Sequence, residues 1–212
     1  CETTDNYFGT EVADPYRWLE ESRSDETQQW IAAQNKLSKN YLSAIPYRPA
    51  IRQRLTELWH SPLFGIPERH GDRLFFFHND GGHNQSILYS QPDGEEARIF
   101  LDPNTLSPDG TAALTGISFS KNGKYMAYSL AVSGSDWSEI RIMECATGRL
   151  HAHRIHCVKF SCAVWCGEGF YYSGFDAPDT GKEYEAQSLA QKIFYHRLGS
   201  EQSDEQNIYH DS

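Results

Sequence analysis

Hydrophobic positions along this chain follow two rhythms, and the change falls near Pro62. Before it, Trp30, Ile31, Leu37, Tyr41 and Leu42 recur at helical spacing behind Ser24. That pattern predicts a helix from Asp25 to about Leu42, with Ser24 as its N-cap. Tyr47-Arg48-Pro49 opens a further predicted helix, in which Ile51, Leu55, Leu58 and Trp59 form one apolar stripe. Upstream, Asp14-Pro15-Tyr16-Arg17-Trp18-Leu19-Glu20 predicts a short helix, with Asp14 as cap and Pro15 at the first helical position. Helices this short are marginal in water, so their apolar faces need a surface to pack against.

After Pro62 the pattern shifts to short β-like runs separated by turns, and these runs repeat. Aromatic runs occur at Leu74-Phe75-Phe76-Phe77, Tyr125-Met126-Ala127-Tyr128 and Phe170-Tyr171-Tyr172, each behind a glycine. A second run follows each, centred on Ile87, Ile140 and Ile193, which lie 53 residues apart in both steps. Turns then recur at Asp93-Gly94, Thr147-Gly148 and Leu198-Gly199, and closing runs at Arg98-Ile99-Phe100, Leu150 to His153 and Asn207-Ile208-Tyr209. A unit of about 50 residues with up to four strands is the signature of a β-propeller blade. A β-sandwich also spaces its strands closely, but gives no reason for two equal steps of 53. The predicted fold is mainly β with an N-terminal α-helical segment: a partial β-propeller of about three four-stranded blades. Blades bury their faces against neighbours, so three of them leave two faces uncovered.

Composition narrows the partners. The 212 residues carry 19 Lys+Arg against 29 Asp+Glu, a net charge of −10. That balance argues against nucleic acid, whose phosphates call for a basic surface. No apolar run approaches the ~20 residues that span a bilayer. The aromatic share of 13% is too rich for a chain that stays disordered. The compartment stays open between cytoplasm and periplasm, with a soluble protein expected. Cys1 stands where Met would, and reads as a cut boundary; a lipidated cysteine is the alternative.

Candidate chemistry is thin. The chain has no Gly-x-Ser-x-Gly elbow, no phosphate loop, no His-Glu-x-x-His and no dinucleotide fingerprint. Ser133-Gly134-Ser135-Asp136 lacks the spacing of a nucleophile elbow. Asn84-Gln85-Ser86 fits a glycosylation sequon but lies in a predicted hairpin. His151, His153 and His156 precede Cys157, Cys162 and Cys166 at spacings close to those of zinc sites. No Cys-x-x-Cys knuckle is present, however, and free cysteine is a common small core residue. The residues therefore give a scaffold with no catalytic constellation; no metal and no cofactor are expected, with a metal-dependent His/Cys cluster at 151–166 as a remaining alternative.

Asp5-Asn6-Tyr7-Phe8-Gly9-Thr10-Glu11-Val12-Ala13-Asp14-Pro15-Tyr16-Arg17-Trp18-Leu19-Glu20 closely resembles the amino-terminal signature of prolyl oligopeptidases. Phe100 to Thr111, Ser133-Gly134-Ser135-Asp136-Trp137 and Val158-Lys159-Phe160-Ser161 resemble three further stretches of that family, in order. The resemblance implies a serine peptidase that cleaves short peptides after proline, with an α/β-hydrolase domain capped by a seven-bladed propeller. It implies that residues 1–61 belong with the hydrolase domain and that 62–212 are the first three blades. The family's Ser, Asp and His triad has no counterpart here, so this chain alone is expected to be inactive.

The same resemblance points to a substrate pocket at Phe160, Trp137 and Asp136. Aromatic walls suit apolar peptide side chains, and an acid can pair with a substrate-orienting Arg on the missing domain. The competing reading makes Phe160 and Trp137 blade core and Asp136 a turn residue. The expected partners are short proline-containing peptides, reached through the missing hydrolase domain, and the rest of the propeller. The alternative function is a stand-alone propeller module that binds a peptide or protein.

Overall fold

A computed structural model describes residues 3–177 and 190–210 of this chain. It divides into two compact units, Cys1–Trp59 and His60–Ser212.

The first unit opens with an antiparallel hairpin, β1 (Thr3–Tyr7) and β2 (Thr10–Asp14). The helical reading of this region did not include it. Phe8 and Gly9 connect the strands with φ of 53° and 92°, the left-handed pair a two-residue hairpin turn needs. Gly9 N–H donates to Asn6 Oδ1 at 2.8 Å. The helix expected from Asp14 shrinks to a single 3-10 turn, Arg17–Glu20, capped at Tyr16. Asp14 is the last residue of β2, and its carboxylate is taken by the Tyr16 N–H (3.0 Å) and Arg17 Nε (2.8 Å). Arg17 also bridges to Asp5, which pins the hairpin to the turn.

The helix α1 (Asp25–Ser43) starts where its cap predicts, with Ser24 Oγ accepting from Thr27 N at 3.2 Å. Asp25 and Glu26 in its first turn favour the positive end of the helix dipole. The helix α2 (Arg48–Trp59) follows. Thr27 is the one buried residue among those described in this unit, and its hydroxyl donates to the Trp18 carbonyl at 3.2 Å.

The second unit holds three antiparallel blades. The first contains β3 (Leu63–Phe64), β4 (Glu68–His70), β5 (Arg73–Asn79), β6 (Ile87–Pro92) and β7 (Arg98–Leu101). The second is β8 (Ala112–Phe119), β9 (Tyr125–Val132), β10 (Ser138–Glu144) and β11 (Leu150–Val158). The third is β12 (Val164–Cys166), β13 (Gly169–Gly174), β14 (Lys192–Arg197) and β15 (Gln206–His210). In the first blade β3 and β4 both pair with β5, followed by β6 and β7; in the second and third blades strands pair with their chain neighbours, and one pair, Val158 with Gly174, joins the second blade to the third. This curled array is a partial propeller.

Strand alternation sends successive residues to opposite blade faces. On β9, Met126, Tyr128 and Leu130 meet Phe75, Leu88 and Leu101 of the first blade. The next residue over, Ala127, turns the other way, onto a core with Ile140, Ile142, Ile155, Phe170 and Tyr172. Ala127, Ser129 and Ala131 keep that side of β9 small. The bulk comes from Phe170 and Tyr172 of the third blade, so large fits against small.

The equal isoleucine spacing finds the right strands but not the same face. Ile140 points toward the third blade, with its partner Ser129 across the ladder. In the first blade it is Leu88, not Ile87, that faces the next blade, while Ile87 pairs with His78 on the opposite side. The register is shifted by bulges between Leu88 and Tyr89 and between Leu114 and Gly116.

Polar clasps join the first two blades. Gln85 Nε2 donates to the Ala112 carbonyl (2.7 Å), and its Oε1 accepts from Leu114 N (3.0 Å). The turns at Gly71 and Gly123 touch. A Cβ on Gly123, whose φ is 66°, would sit 2.5 Å from Gly71 N, so a side chain there must displace backbone.

Candidate functional site

A cavity of about 410 Å³ opens at one end of the second blade, against the entry to the third. Thr115 and Gly116 of β8 and Ala131 of β9 form its floor, and two loops form its rim. The first loop is the β9–β10 turn. Ser133 and Gly134 both have positive φ (55° and 71°), and Ser135 N donates to the Val132 carbonyl at 3.1 Å. That tight hairpin turn puts Ser135, Asp136 and Ser138 on the cavity wall.

The second loop follows β11. Cys157 and Phe160 both take left-handed backbone, φ 59° and 51°, which costs a residue with a Cβ on the order of 1 kcal/mol or more. The surrounding bonds hold it there. Phe175 N donates to the Cys157 carbonyl (2.9 Å), and Ser173 N donates to Ser161 Oγ (2.9 Å). The Cys157 thiol is pushed up by burial and stays protonated. The result is Phe160 with 80% of its surface in solvent, beside Ser161 and Cys162 on the same rim.

The three residues picked from sequence thus take different places. Phe160 and Asp136 line the cavity, both exposed. Trp137 stands behind the rim, half-buried, edge-on to Phe175 with ring centroids 6.1 Å apart and with Lys159 Nζ 4.0 Å above its ring. It props the loop instead of lining the cavity. Sequence reasoning missed Thr115, Gly116, Ala131, Ser135, Ser138, Ser161 and Cys162 as lining residues. The β9–β10 turn signal and the alternation of β10 would have found Ser138. The β8 residues come from a strand whose Ala-Ala-Leu-Thr-Gly start gives no clear period.

Chemically, the lining offers hydroxyls, one thiol, one carboxylate and an aromatic face. Among the described residues, no imidazole or amine lines it, so none of them provides an adjacent base to activate its serines and cysteine. The arrangement can hold an apolar group against Phe160 and a polar or cationic group against Asp136.

The histidines and cysteines do not assemble. His151 packs edge-on to Tyr125 (5.4 Å), His153 Nδ1 lies 3.2 Å from Glu201, and His156 Nδ1 lies 3.7 Å from Glu139. Among the described residues no three His, Cys, Asp or Glu side chains converge as a metal site would need. On the third blade, the fully buried His196 holds Glu205 through Nδ1 at 2.9 Å, and the Tyr172 hydroxyl donates to the same carboxylate. Burial and that carboxylate raise the Tyr172 hydroxyl well above its ordinary range.

Comparison with known proteins supplies the context. The family model described as "Prolyl oligopeptidase, N-terminal beta-propeller domain" matches residues 1–212. A prolyl endopeptidase of Elizabethkingia meningoseptica is 38% identical over 206 residues, covering 97% of this chain and 29% of its own length. Prolyl oligopeptidase A of Galerina marginata (strain CBS 339.88) is 35% identical, covering 94% of this chain and 31% of its own. Among solved structures, one from a study of two prolyl endopeptidases superposes with a TM-score of 0.86 at 29% identity, over 100% of this chain and 32% of that one. Prolyl oligopeptidase B from Galerina marginata, bound to a 25-residue macrocyclization substrate, gives 0.79 at 27% identity, over 100% of this chain and 33% of its own. The chain therefore spans about a third or less of the length of these relatives.

Proposed function

The chain belongs to the prolyl oligopeptidase family, in its N-terminal β-propeller domain, and from that membership we propose that it is the N-terminal part of a serine endopeptidase that hydrolyses short peptides after proline. In this reading the blades line and gate the approach to a catalytic centre carried elsewhere, and this chain alone turns nothing over. The helices of Cys1–Trp59 belong with the peptidase domain, and their exposed stripe of Ile51, Leu55, Leu58 and Trp59 is the surface it covers.

One observation carries the reading: the cavity rim that presents Phe160 to solvent on strained backbone. An aromatic side chain held out of a core at a cost suits a wall for an apolar peptide side chain. Asp136, exposed on the same rim, supports the reading by offering a carboxylate to a cation. Among the described residues, the lining holds neither the base nor the oriented third group that a serine nucleophile needs, which supports inactivity in isolation.

The test uses the purified 212-residue chain and a fluorogenic peptide with proline before the scissile bond. No release of fluorophore is expected. Weak binding of a non-cleavable analogue is expected instead, and Phe160→Ala should weaken it about tenfold, in line with loss of an aromatic contact. Turnover by pure chain would overturn the inactivity. Binding indifferent to Phe160→Ala would remove the pocket.

A further inference from the structure

A second cavity, of about 370 Å³, lies between the first two blades and shares no lining residue with the one at Phe160. Its chemistry is different. Strand β4 contributes Glu68 and His70, and β5 and β8 contribute Phe75, Phe77 and Phe119. His70 stacks flat on Phe119, with centroids 3.9 Å apart and planes 13° from parallel. Phe75 closes the group, 4.5 Å from Phe119 and 6.1 Å from His70. Ile66, 87% exposed, stands at the mouth.

The charges are sorted by strand alternation. Glu68 and His70 share one face of β4, and Arg69 between them points to the other. Arg69 is occupied there, its Nη1 donating to both Asp93 oxygens at 2.8 and 2.9 Å. The cavity thus receives a carboxylate, while the guanidinium beside it in sequence is turned away. Glu68 is mostly solvent-exposed, with His70 Nε2 3.4 Å from its Oε2. The cavity therefore sets a carboxylate, which attracts a cation, beside aromatic and aliphatic walls that suit an apolar group.

We propose that this cavity binds a small organic ammonium ion with an apolar body, the ammonium against Glu68 and the body against Phe77, Ile117 and Phe119. Its volume falls in the range of small-molecule sites. The proposal does not depend on the peptidase reading, since the site lies elsewhere and uses other residues.

The probe is phenethylammonium, titrated calorimetrically into the 212-residue chain. The neutral 2-phenylethanol and the anionic 3-phenylpropionate serve as shape-matched controls. The ammonium should bind about threefold to thirtyfold more tightly than the alcohol, and the carboxylate least. Glu68→Gln, an exposed change that leaves the core alone, should bring the ammonium close to the alcohol. Ile66→Lys, which places a competing cation at the mouth, should weaken the ammonium without changing the thermal midpoint. Equal affinity for all three probes, no saturable binding of any, or an unchanged preference in Glu68→Gln would each overturn the proposal.

Discussion

The N-terminal helices and the second blade solve the same problem with opposite resources. In α1 and α2 the backbone is satisfied locally, by helical hydrogen bonds and the Ser24 cap. Their apolar side chains nevertheless stay in water: Leu37 is 67% exposed and Trp59 81%. In the second blade the strands depend on partners far along the chain, yet Met126, Ile140 and Ile155 are all fully buried. Local order and burial are thus separable. A helix can be specified by its own residues and still lack a core, whereas a blade acquires its core only through the blades on either side.

The third blade sharpens this. Ile140 and Ile193 occupy corresponding strands on the same forward face, but Ile140 is fully buried and Ile193 is 40% exposed. The residue type is constant and the neighbour is what differs. Ile140→Ala should therefore cost about 2–5 kcal/mol, the range for truncating a buried aliphatic side chain, whereas Ile193→Ala should cost about 1 kcal/mol or less. Urea unfolding of both variants measures this. Equal losses would mean that the second blade gains nothing from being flanked.

A smaller effect is expected in the helical unit. Ser24→Ala removes the oxygen that accepts from Thr27 N and should destabilise α1 by about 1 kcal/mol, visible as a loss of helical circular dichroism on mild heating. Leu37→Ser, at an exposed position of α1, should change stability by less than about 0.5 kcal/mol. A large loss at Leu37 would show that this face of α1 is already covered in the isolated chain.

The subtlest test is acid. Arg17 first, then the Tyr16 N–H, holds the Asp14 carboxyl below the usual carboxylate range. In the blades, the Gly82 N–H first, then His83, does the same for Asp80. A depressed folded value means stability that is complete above the unfolded pKa, near 3.9, and is lost as the pH falls through the lower folded value. Both regions should therefore keep this support at neutral pH and shed it only below the ordinary aspartate range. NMR titration of the two carboxyl carbons would show both midpoints below 3.9; a midpoint at or above it for Asp14 would remove Arg17 as the anchor of the hairpin.

Much of this architecture is legible in the sequence, and the illegible parts share a cause. Ser24 and the Tyr47-Arg48-Pro49 start were readable because caps act within a few residues. The aromatic runs marked β5, β9 and β13 because buried strands need bulky side chains. Two short strands escaped notice: β4 and β12 have three residues each, too few for a period to appear. The β1–β2 hairpin is largely polar and almost wholly exposed, so no hydrophobic alternation announces it. At the cavity, Phe160 and Asp136 were reached through resemblance to a family. Trp137 went to the loop's support because Lys159 and Phe175 claim its ring, partners that no spacing reveals.

What the chain determined by itself is the kind and order of its elements: capped helices, then three repeats of paired strands, written in signals that span a few residues. What the tertiary structure decided is which face of each strand is core. Single-residue bulges reverse that assignment, and a face becomes interior only when a neighbouring blade excludes water from it. The cavities follow from the same decision, since each gathers residues from strands and loops that meet only when blades pack side by side.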